Sequence, residues 1–306
     1  MPRVSILLTC YNHIRYLPAS WEAVRAQTLS DFEVIAIDDG STDGTREWLS
    51  ENAKDAKLIF NETNLGTYGS LNRALKEATG EFVAILNDDD LWAPEKLARQ
   101  VAMFESHPEV GLVHTDGGFI DGEGKPIEGS PLGFEFPRTE TGNVVTALLH
   151  ANKIIASAAM VRRSCFEEVG GFNEAYFGSG DWEMWLRIAE KWPIGYVDAP
   201  LTFYRVHGEN ASHKLERIWK DDERLRKWIR ERYATYDSLG LPSEELVKAK
   251  AHNEACLGTV LVLNGKTAES REAFRQSLEL DPKRFKSRLR LLATYALPRP
   301  VWRKVL

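Results

Sequence analysis

The chain has 306 residues, of which 43% are hydrophobic and 27% charged, a globular balance that excludes a disordered or collagen-like protein. A formal net charge of -6 argues against nucleic acid as a partner, because affinity for phosphates depends on clustered Lys and Arg. The three cysteines lack disulfide or zinc spacing, and no apolar run has the length of a signal peptide or membrane span, so we expect a cytoplasmic protein.

Strand and helix patterns alternate through residues 1–115. Continuous apolar runs of this kind, separated by amphipathic segments, predict a mostly parallel sheet with helices on both faces, which is an α/β fold. The predicted strands cover 4–10, 32–38, 57–60, the run from 83 to Asn87, and 110–115. The predicted helices cover 18–27, a segment ending at Trp48, 68–78, and 94–106.

The next part of the chain has a more irregular pattern. Residues 116–138 are rich in Gly, Pro and acidic residues and predict a long surface loop, which is often functional. Beyond the loop, the pattern is mixed rather than strictly alternating. It predicts helices near 143–151 and 181–191, a short helix ending at Val169, and strands at 157–161 and 202–206.

From about residue 214 the sequence is helical and highly charged. Residues 264–285 resemble one tetratricopeptide-type repeat, although an ordinary helical hairpin fits equally well. A solitary repeat cannot bury its own face, so we expect it to pack on the preceding α/β body or on another subunit, which would make a homo-oligomer.

The final segment, residues 283–306, carries eight Lys or Arg and no acid. Basic residues interleaved with Leu, Tyr and Trp are typical of peripheral contact with an anionic membrane. This contact would place the protein on the inner face of the cell membrane. A solvated helical face or a subunit contact explains the pattern as well.

Polar residues follow three of the predicted strands, at 9–12, 38–41 and 87–90. In an open α/β sheet, ligands bind beyond the carboxyl ends of the strands, so these residues should line one crevice. Clustered carboxylates there are stable only if they share a cation. Mg²⁺ or Mn²⁺, held by one or two carboxylates and a diphosphate, fits best. Neither GxxxxGK[ST] nor a GxGxxG after the first strand is present, which argues against P-loop and dinucleotide sites.

The motifs TCYN, VIAIDDGSTDGT, NLGTYGSLNRALKEATGEFVAILNDDDLWAPEKL, VGGF and GDWEMWLRIAEKW occur in that order. Over roughly residues 3–210 this series resembles the inverting family 2 glycosyltransferases of the GT-A fold. The resemblance implies a GT-A domain at 1–213, with a Rossmann-like sheet, and a C-terminal helical region at 214–306. It also implies a nucleotide-diphosphate sugar as the donor.

The resemblance implies roles for the residues at the strand ends. Thr9 and Tyr11 match the position that holds the nucleotide base, and Asp39 matches an acid that contacts base or ribose. By the same resemblance, Asp88 is expected to lie near the ribose and diphosphate. These four residues are therefore the predicted nucleotide-binding residues.

The same resemblance implies a metal site. Counted back from Pro94, Asp89 falls on the metal-binding acid of the D-x-D motif, whereas Asn87 replaces the first aspartate of many members. This departure leaves the division of roles among the three consecutive aspartates open. Asp90 and His207, the latter in a YRxH segment, complete the predicted metal-binding set with Asp89.

Asp181 matches the catalytic base, although the Glu that often precedes it is Gly180 here. The predicted function is metal-dependent, inverting transfer of a sugar to a hydroxyl of a glycan or lipid-linked acceptor, in bacterial surface-polysaccharide assembly by resemblance. A sugar-phosphate nucleotidyltransferase and a catalytically silent, nucleotide-sugar-binding scaffold or partner subunit are the alternatives. The first would need a Gly-rich basic loop after the first strand, which TCYNHIRY lacks.

Overall fold

The computed structural model describes residues 1–210, 213–234, 243–297 and 301–302. The chain folds into two compact units. The first unit comprises Met1–Val144, Asn152–Tyr176 and Gly180–Asn210, and the second comprises Val145–Ala151, Phe177–Ser179 and the chain from Ala211 onward. Among the described helices, none combines the length and the apolar character needed to cross a bilayer.

Helices occur in both units of the chain. In chain order, the helices are α1 (Leu17–Arg25), α2 (Thr45–Asn52), α3 (Gly66–Leu75), α4 (Lys96–Ser106), α5 (Val145–His150), α6 (Arg163–Val169), α7 (Gly180–Ala189), α8 (Leu215–Arg232), α9 (Ser243–Leu263), α10 (Thr267–Leu280) and α11 (Phe285–Ala296). A 3₁₀ turn covers Ala156–Ala158.

The first unit is built on a sheet that has nine strands within the described residues. The strands are β1 (Val4–Cys10), β2 (Phe32–Asp38), β3 (Lys57–Phe60), β4 (Phe82–Asn87), β5 (Leu91–Trp92), β6 (Leu112–Ile120), β7 (Pro126–Ile127), β8 (Met160–Arg162) and β9 (Ile194–Arg205). Their order across the sheet is β3-β2-β1-β4-β8-β6-β9-β5, with β7 paired to β6.

The register of the parallel strands places their polar ends together. Strand β1 lies between β2 and β4, and Thr9 pairs with Asn87 while Cys10 pairs with Asp38. Every residue of β1 is buried, as expected for a central strand covered on both faces. Strand β8 then pairs antiparallel with both β4 and β6, which gives the mixed second half. The predicted α/β fold with a C-terminal helical extension is confirmed.

The segment predicted as a long loop from residue 116 begins instead as strand. Strand β6 continues to Ile120 beside β9, with register shifts at Asp116 and Gly117. A Cβ at Gly117 would lie 1.9 Å from the carbonyl oxygen of Thr202, so only glycine allows this close approach. Glycines that the sequence pattern assigns to a loop therefore serve a bulged strand.

The second unit is helical. Gly258 of α9 faces the ring of Phe274 on α10, where an added Cβ would lie 2.8 Å from ring atoms, so the two helices approach closely. Leu257, Leu261 and Ala273 form a buried cluster between them. Helix α5 also belongs to this unit. The division into domains at 1–213 and 214–306 stays a prediction. The tetratricopeptide likeness of 264–285 stays a prediction.

Candidate functional site

The loop after β1 is tied to the loop after β2. Asn12 adopts a left-handed backbone conformation, with φ of 55°, which Asn tolerates better than most residues. Its backbone N–H donates to Ser41 Oγ at 2.9 Å, and its Oδ1 accepts from the Thr42 N–H at 2.8 Å. Below this turn, Thr9 Oγ1 donates to Asn87 Oδ1 at 3.2 Å. The polar ends of three strands are therefore linked directly.

Asp88 lies at the centre of this linkage. Its Oδ2 accepts from the Tyr11 backbone N–H at 3.0 Å, and its Oδ1 lies 2.9 Å from His13 Nδ1. Burial opposes the charge of His13, but the hydrogen bond to Asp88 and the charges of Asp88 and Asp89 outweigh it and raise the pKa of His13 to about 9. Burial raises the pKa of Asp88 despite the imidazolium beside it. The Tyr11 side chain is 42% exposed and free to meet a ligand.

Asp89 has one engaged and one available oxygen. Its Oδ2 lies 3.0 Å from His207 Nε2 and 3.5 Å from Asn210 Nδ2, whereas its Oδ1 accepts no hydrogen bond from the described residues. Ligand atoms of His13, Asp88 and Asp89 all lie within 4.8 Å of one another. Two carboxylates and an imidazole in this volume suit a divalent cation such as Mn²⁺, which would have to displace the proton that Asp88 and Asp89 favour on His13.

A cleft of about 370 Å³ is lined by His13, a member of this cluster, and by His207, and the centroids of the two rings lie 5.1 Å apart. The backbone N–H of His207 donates to Asn210 Oδ1 at 2.6 Å, and His207 Nδ1 accepts from the Glu209 N–H at 3.3 Å. That acceptance leaves Nε2 to donate to Asp89. His207 thus holds the Asp89 carboxylate in place.

Asp90 is hydrogen-bonded to the protein through both carboxylate oxygens. Its Oδ1 accepts from the Arg205 backbone N–H at 3.0 Å, and its Oδ2 lies 2.5 Å from Ser157 Oγ. Burial, together with the charge of Asp89, raises the pKa of Asp90 well above its usual range. Asp90, which the sequence predicts as a metal ligand, therefore belongs to a hydrogen-bond network within the protein.

Asp39 is also engaged by the protein. Its Oδ1 accepts from Asn61 Nδ2 and the Leu65 N–H, each at 2.8 Å, and its Oδ2 accepts from the Gly66 N–H at 2.9 Å. Gly66 begins α3, so Asp39 satisfies backbone donors at the N-terminus of that helix. It fixes α3 relative to the end of β2.

Asp181 occupies a separate environment in the same unit, at the start of α7. Its carboxylate accepts from the Trp182 N–H at 2.7 Å, from Asn152 Nδ2 at 3.2 Å and from the Tyr68 hydroxyl at 3.4 Å. Burial outweighs these hydrogen bonds and raises the pKa of Asp181 to about 6. A carboxylate with this pKa is ionised at neutral pH and basic enough to accept a proton.

Gly180 has a steric explanation. A Cβ at this position would lie 2.7 to 2.9 Å from ring atoms of Tyr68, the residue whose hydroxyl donates to Asp181. The ring fills the space that the Glu of many members would need. Glycine at position 180 therefore leaves room for Tyr68, whose hydroxyl donates to Asp181.

Among the predicted site residues, the structure pairs Tyr11 with Asp88 and His207 with Asp89, and it places Thr9 beside Asn87. It adds His13, which was not among the predicted site residues although TCYNH places it three residues beyond β1. A histidine so close to a polar strand end was the available signal.

Comparison with known proteins identifies the family. The model of glycosyl transferase family 2 matches residues 5–170. The chain belongs to this family. An uncharacterized glycosyltransferase of Nostoc is 33% identical over 221 residues, which cover 68% of this chain and 66% of the relative. The chain covers 30% and 36% of two further curated relatives, both from Rickettsia, so it spans two thirds or less of these three proteins.

Solved structures share the fold of this family member. Staphylococcus aureus TarS 1-349 in complex with UDP-GlcNAc has a TM-score of 0.63 at 17% identity, covering 99% of this chain and 92% of TarS 1-349. A Pyrobaculum calidifontis mannosyltransferase in complex with GDP-Man and Mn²⁺ has a TM-score of 0.58 at 21% identity, covering 99% and 88%. The GT-A prediction is confirmed.

Proposed function

We propose that this family 2 protein transfers a sugar, with inversion, from a nucleotide-diphosphate donor to a hydroxyl of a glycan or lipid-linked acceptor. The observation that carries the proposal is that one unit contains both a candidate cation site and a separate candidate base. Asp88 and Asp89 form a compact group with imidazoles at the strand ends, and Asp181 is a separate carboxylate with a raised pKa. The structural neighbours that bind UDP-GlcNAc or GDP-Man with Mn²⁺ support a nucleotide-sugar donor.

The residues proposed to hold the cation are Asp88, Asp89 and His13. His207 orients Asp89 by contacting its carboxylate oxygen Oδ2. When bound, Mn²⁺ or Mg²⁺ would offset the charge that develops on the departing diphosphate. Asp90 keeps the turn in shape by binding Ser157 and Arg205.

The nucleoside is proposed to lie against Tyr11 and Thr9. Exposed aromatic surface at the end of β1 suits stacking on a base. Asp39 fixes the N-terminus of α3 beside this position and thereby shapes the nucleoside pocket.

Asp181 is proposed to take the proton from the acceptor hydroxyl as that oxygen attacks the anomeric carbon. A single carboxylate base suffices for inversion, whereas retention by double displacement would also need a nucleophile. Tyr68 and Asn152 orient the carboxylate by donating to its two oxygens.

The test is release of nucleoside diphosphate from a panel of nucleotide sugars with Mn²⁺, using bacterial lipid and glycan extracts as acceptors. Asp181→Asn should bind donor normally but lose turnover, and Asp89→Asn should lose metal-dependent donor binding. The proposal fails if the wild-type protein binds and turns over none of the donors, or if both variants behave as the wild type.

A further inference from the structure

Helix α11 presents four large apolar side chains to solvent. Phe285 is 64% exposed, Leu289 48%, Leu292 61% and Tyr295 59%. Their spacing of four, three and three residues places them on one side of the helix. We call these four residues the apolar stripe. Large contiguous apolar patches on a protein surface mark interaction sites, whereas scattered ones do not.

The outward position of the apolar stripe follows from how α11 is anchored. On its opposite side, Ser287 is buried and its hydroxyl lies 3.0 Å from Ser277 Oγ of α10. Thr294, also buried, accepts two hydrogen bonds from Arg271 of α10, at 3.1 Å to Oγ1 and 2.8 Å to the carbonyl oxygen. These contacts fix the rotation of α11, so the stripe faces outward because its opposite face is occupied.

The surroundings of the apolar stripe are cationic. Residues 283–297 contain five Lys or Arg and no acid, in a chain of net charge -6. Lys286 and Arg288 are exposed on α11 itself. Arg275 of α10 donates to the Tyr295 hydroxyl at 3.0 Å, and its other guanidinium nitrogen lies 3.4 Å from Glu272. A second acid, Asp281, accepts from the Lys283 N–H at 3.1 Å. Positive charge therefore borders the stripe.

We propose that the apolar stripe docks on an anionic phospholipid bilayer. The helix would lie in the plane of the interface, with the stripe at the boundary between headgroups and acyl chains and the Lys and Arg side chains among the headgroup phosphates. At twelve residues, α11 is far too short to span a bilayer. Two copies meeting through the stripe would bring like charges together, whereas an anionic bilayer complements both the apolar and the cationic character.

The apolar stripe and its basic neighbours on α11 lie within residues 283–297, and residues 298–300 and 303–306 of the basic segment lie outside the described residues. Bilayer binding is independent of the proposed function, since it requires neither donor nor metal. A catalytically inactive chain could still bind vesicles.

The experiment is cosedimentation of the full chain with vesicles of phosphatidylcholine alone or mixed equally with phosphatidylglycerol. We expect binding to the anionic vesicles that weakens with salt. The double variant Leu289→Glu with Leu292→Glu should lower the partition coefficient at least about tenfold, because each Leu loses its apolar contact with the bilayer. Lys286→Glu with Arg288→Glu should lower it about tenfold.

The matched control is Leu215→Glu on α8, where the leucine is 54% exposed but lies outside the stripe, and this variant should bind as the wild type does. Circular dichroism verifies that all variants fold. Equal binding to both vesicle types, no binding to either, or unchanged binding of the Leu289/Leu292 variant would overturn the proposal. So would a wild-type dimer in sedimentation velocity that this variant converts to monomer, since the stripe would then be a subunit interface.

Discussion

Replacing Asp181 by Asn should remove turnover and stabilise the fold. Burial raises the pKa of Asp181 from 3.8 to about 6. The ionised carboxylate that Asp181 carries at neutral pH therefore lowers the free energy of unfolding. At about 1.36 kcal/mol per pKa unit the difference corresponds to about 3 kcal/mol. Because the side chain is only half-buried, solvent screening reduces this figure, and we expect a gain of about 1–3 kcal/mol for the neutral amide.

The dependence of this gain on pH has a definite sign. A raised pKa in the folded state means that Asp181 contributes stability below about 3.8 and loses that contribution as pH rises through about 6. The free energy of unfolding of Asp181→Asn should therefore equal that of the wild type near pH 4 and exceed it near pH 7. Urea unfolding at a series of pH values measures this difference.

Asp43→Asn is the matched control, because hydrogen bonds from the Ile14 N–H and Thr45 outweigh burial and lower the pKa of Asp43. It should lose stability at neutral pH and recover relative to the wild type as pH falls. An Asp181→Asn protein that is less stable than the wild type at every pH would refute the reasoning about burial.

The activity of the same variant tests the assigned role. An amide side chain cannot take the proton from the hydroxyl of the acceptor substrate. We therefore expect kcat to fall by about 10²–10⁴-fold, with donor affinity unchanged. Wild-type kcat/KM should rise with pH through about 6 as Asp181 ionises. Turnover by Asp181→Asn at the wild-type rate would exclude Asp181 as the base.

Further predictions concern the metal site and the Tyr68 contact. In calorimetric titrations without substrate, Asp89→Asn and His13→Ala should each weaken Mn²⁺ binding at least about tenfold, because each removes a proposed ligand. Asp90→Asn should keep Mn²⁺ affinity within about threefold, because its contacts are with the protein; a large loss would make Asp90 a ligand. Gly180→Ala should cost about 1–3 kcal/mol in urea unfolding by forcing Tyr68 to move. A variant as stable as the wild type would show that the ring has room.

The parallel half of the sheet could be predicted because burial on both faces produces continuous apolar runs. The observed bounds of β1, β2 and β3 equal the predicted ranges 4–10, 32–38 and 57–60. The extension of β6 could not be predicted, because Gly117 is needed for an approach to Thr202 on a strand distant in sequence. Sequence patterns report local periodicity, whereas Gly117 is required by a tertiary contact.

The site was predictable in location more than in detail. Parallel strands bring their carboxyl ends to one edge, so the meeting of Asp88 and Asp89 with the end of β1 followed from topology. The direction of each side chain beyond a strand end depends on loop conformation. Consequently Asp90 and Asp39 proved to bind protein donors, and the proximity of His13 to Asp88 became visible only in the structure.

The most direct test of the central claim is calorimetric titration of UDP and GDP into the purified protein with Mn²⁺ and, separately, with EDTA. The strand-end carboxylates and the imidazole of His13 are proposed to bind the diphosphate through a shared cation. We predict binding of at least one of these diphosphates with Mn²⁺, a loss of at least about tenfold in EDTA, and the same loss for Asp89→Asn. Absence of binding under both conditions, or equal affinity with and without metal, would contradict the account.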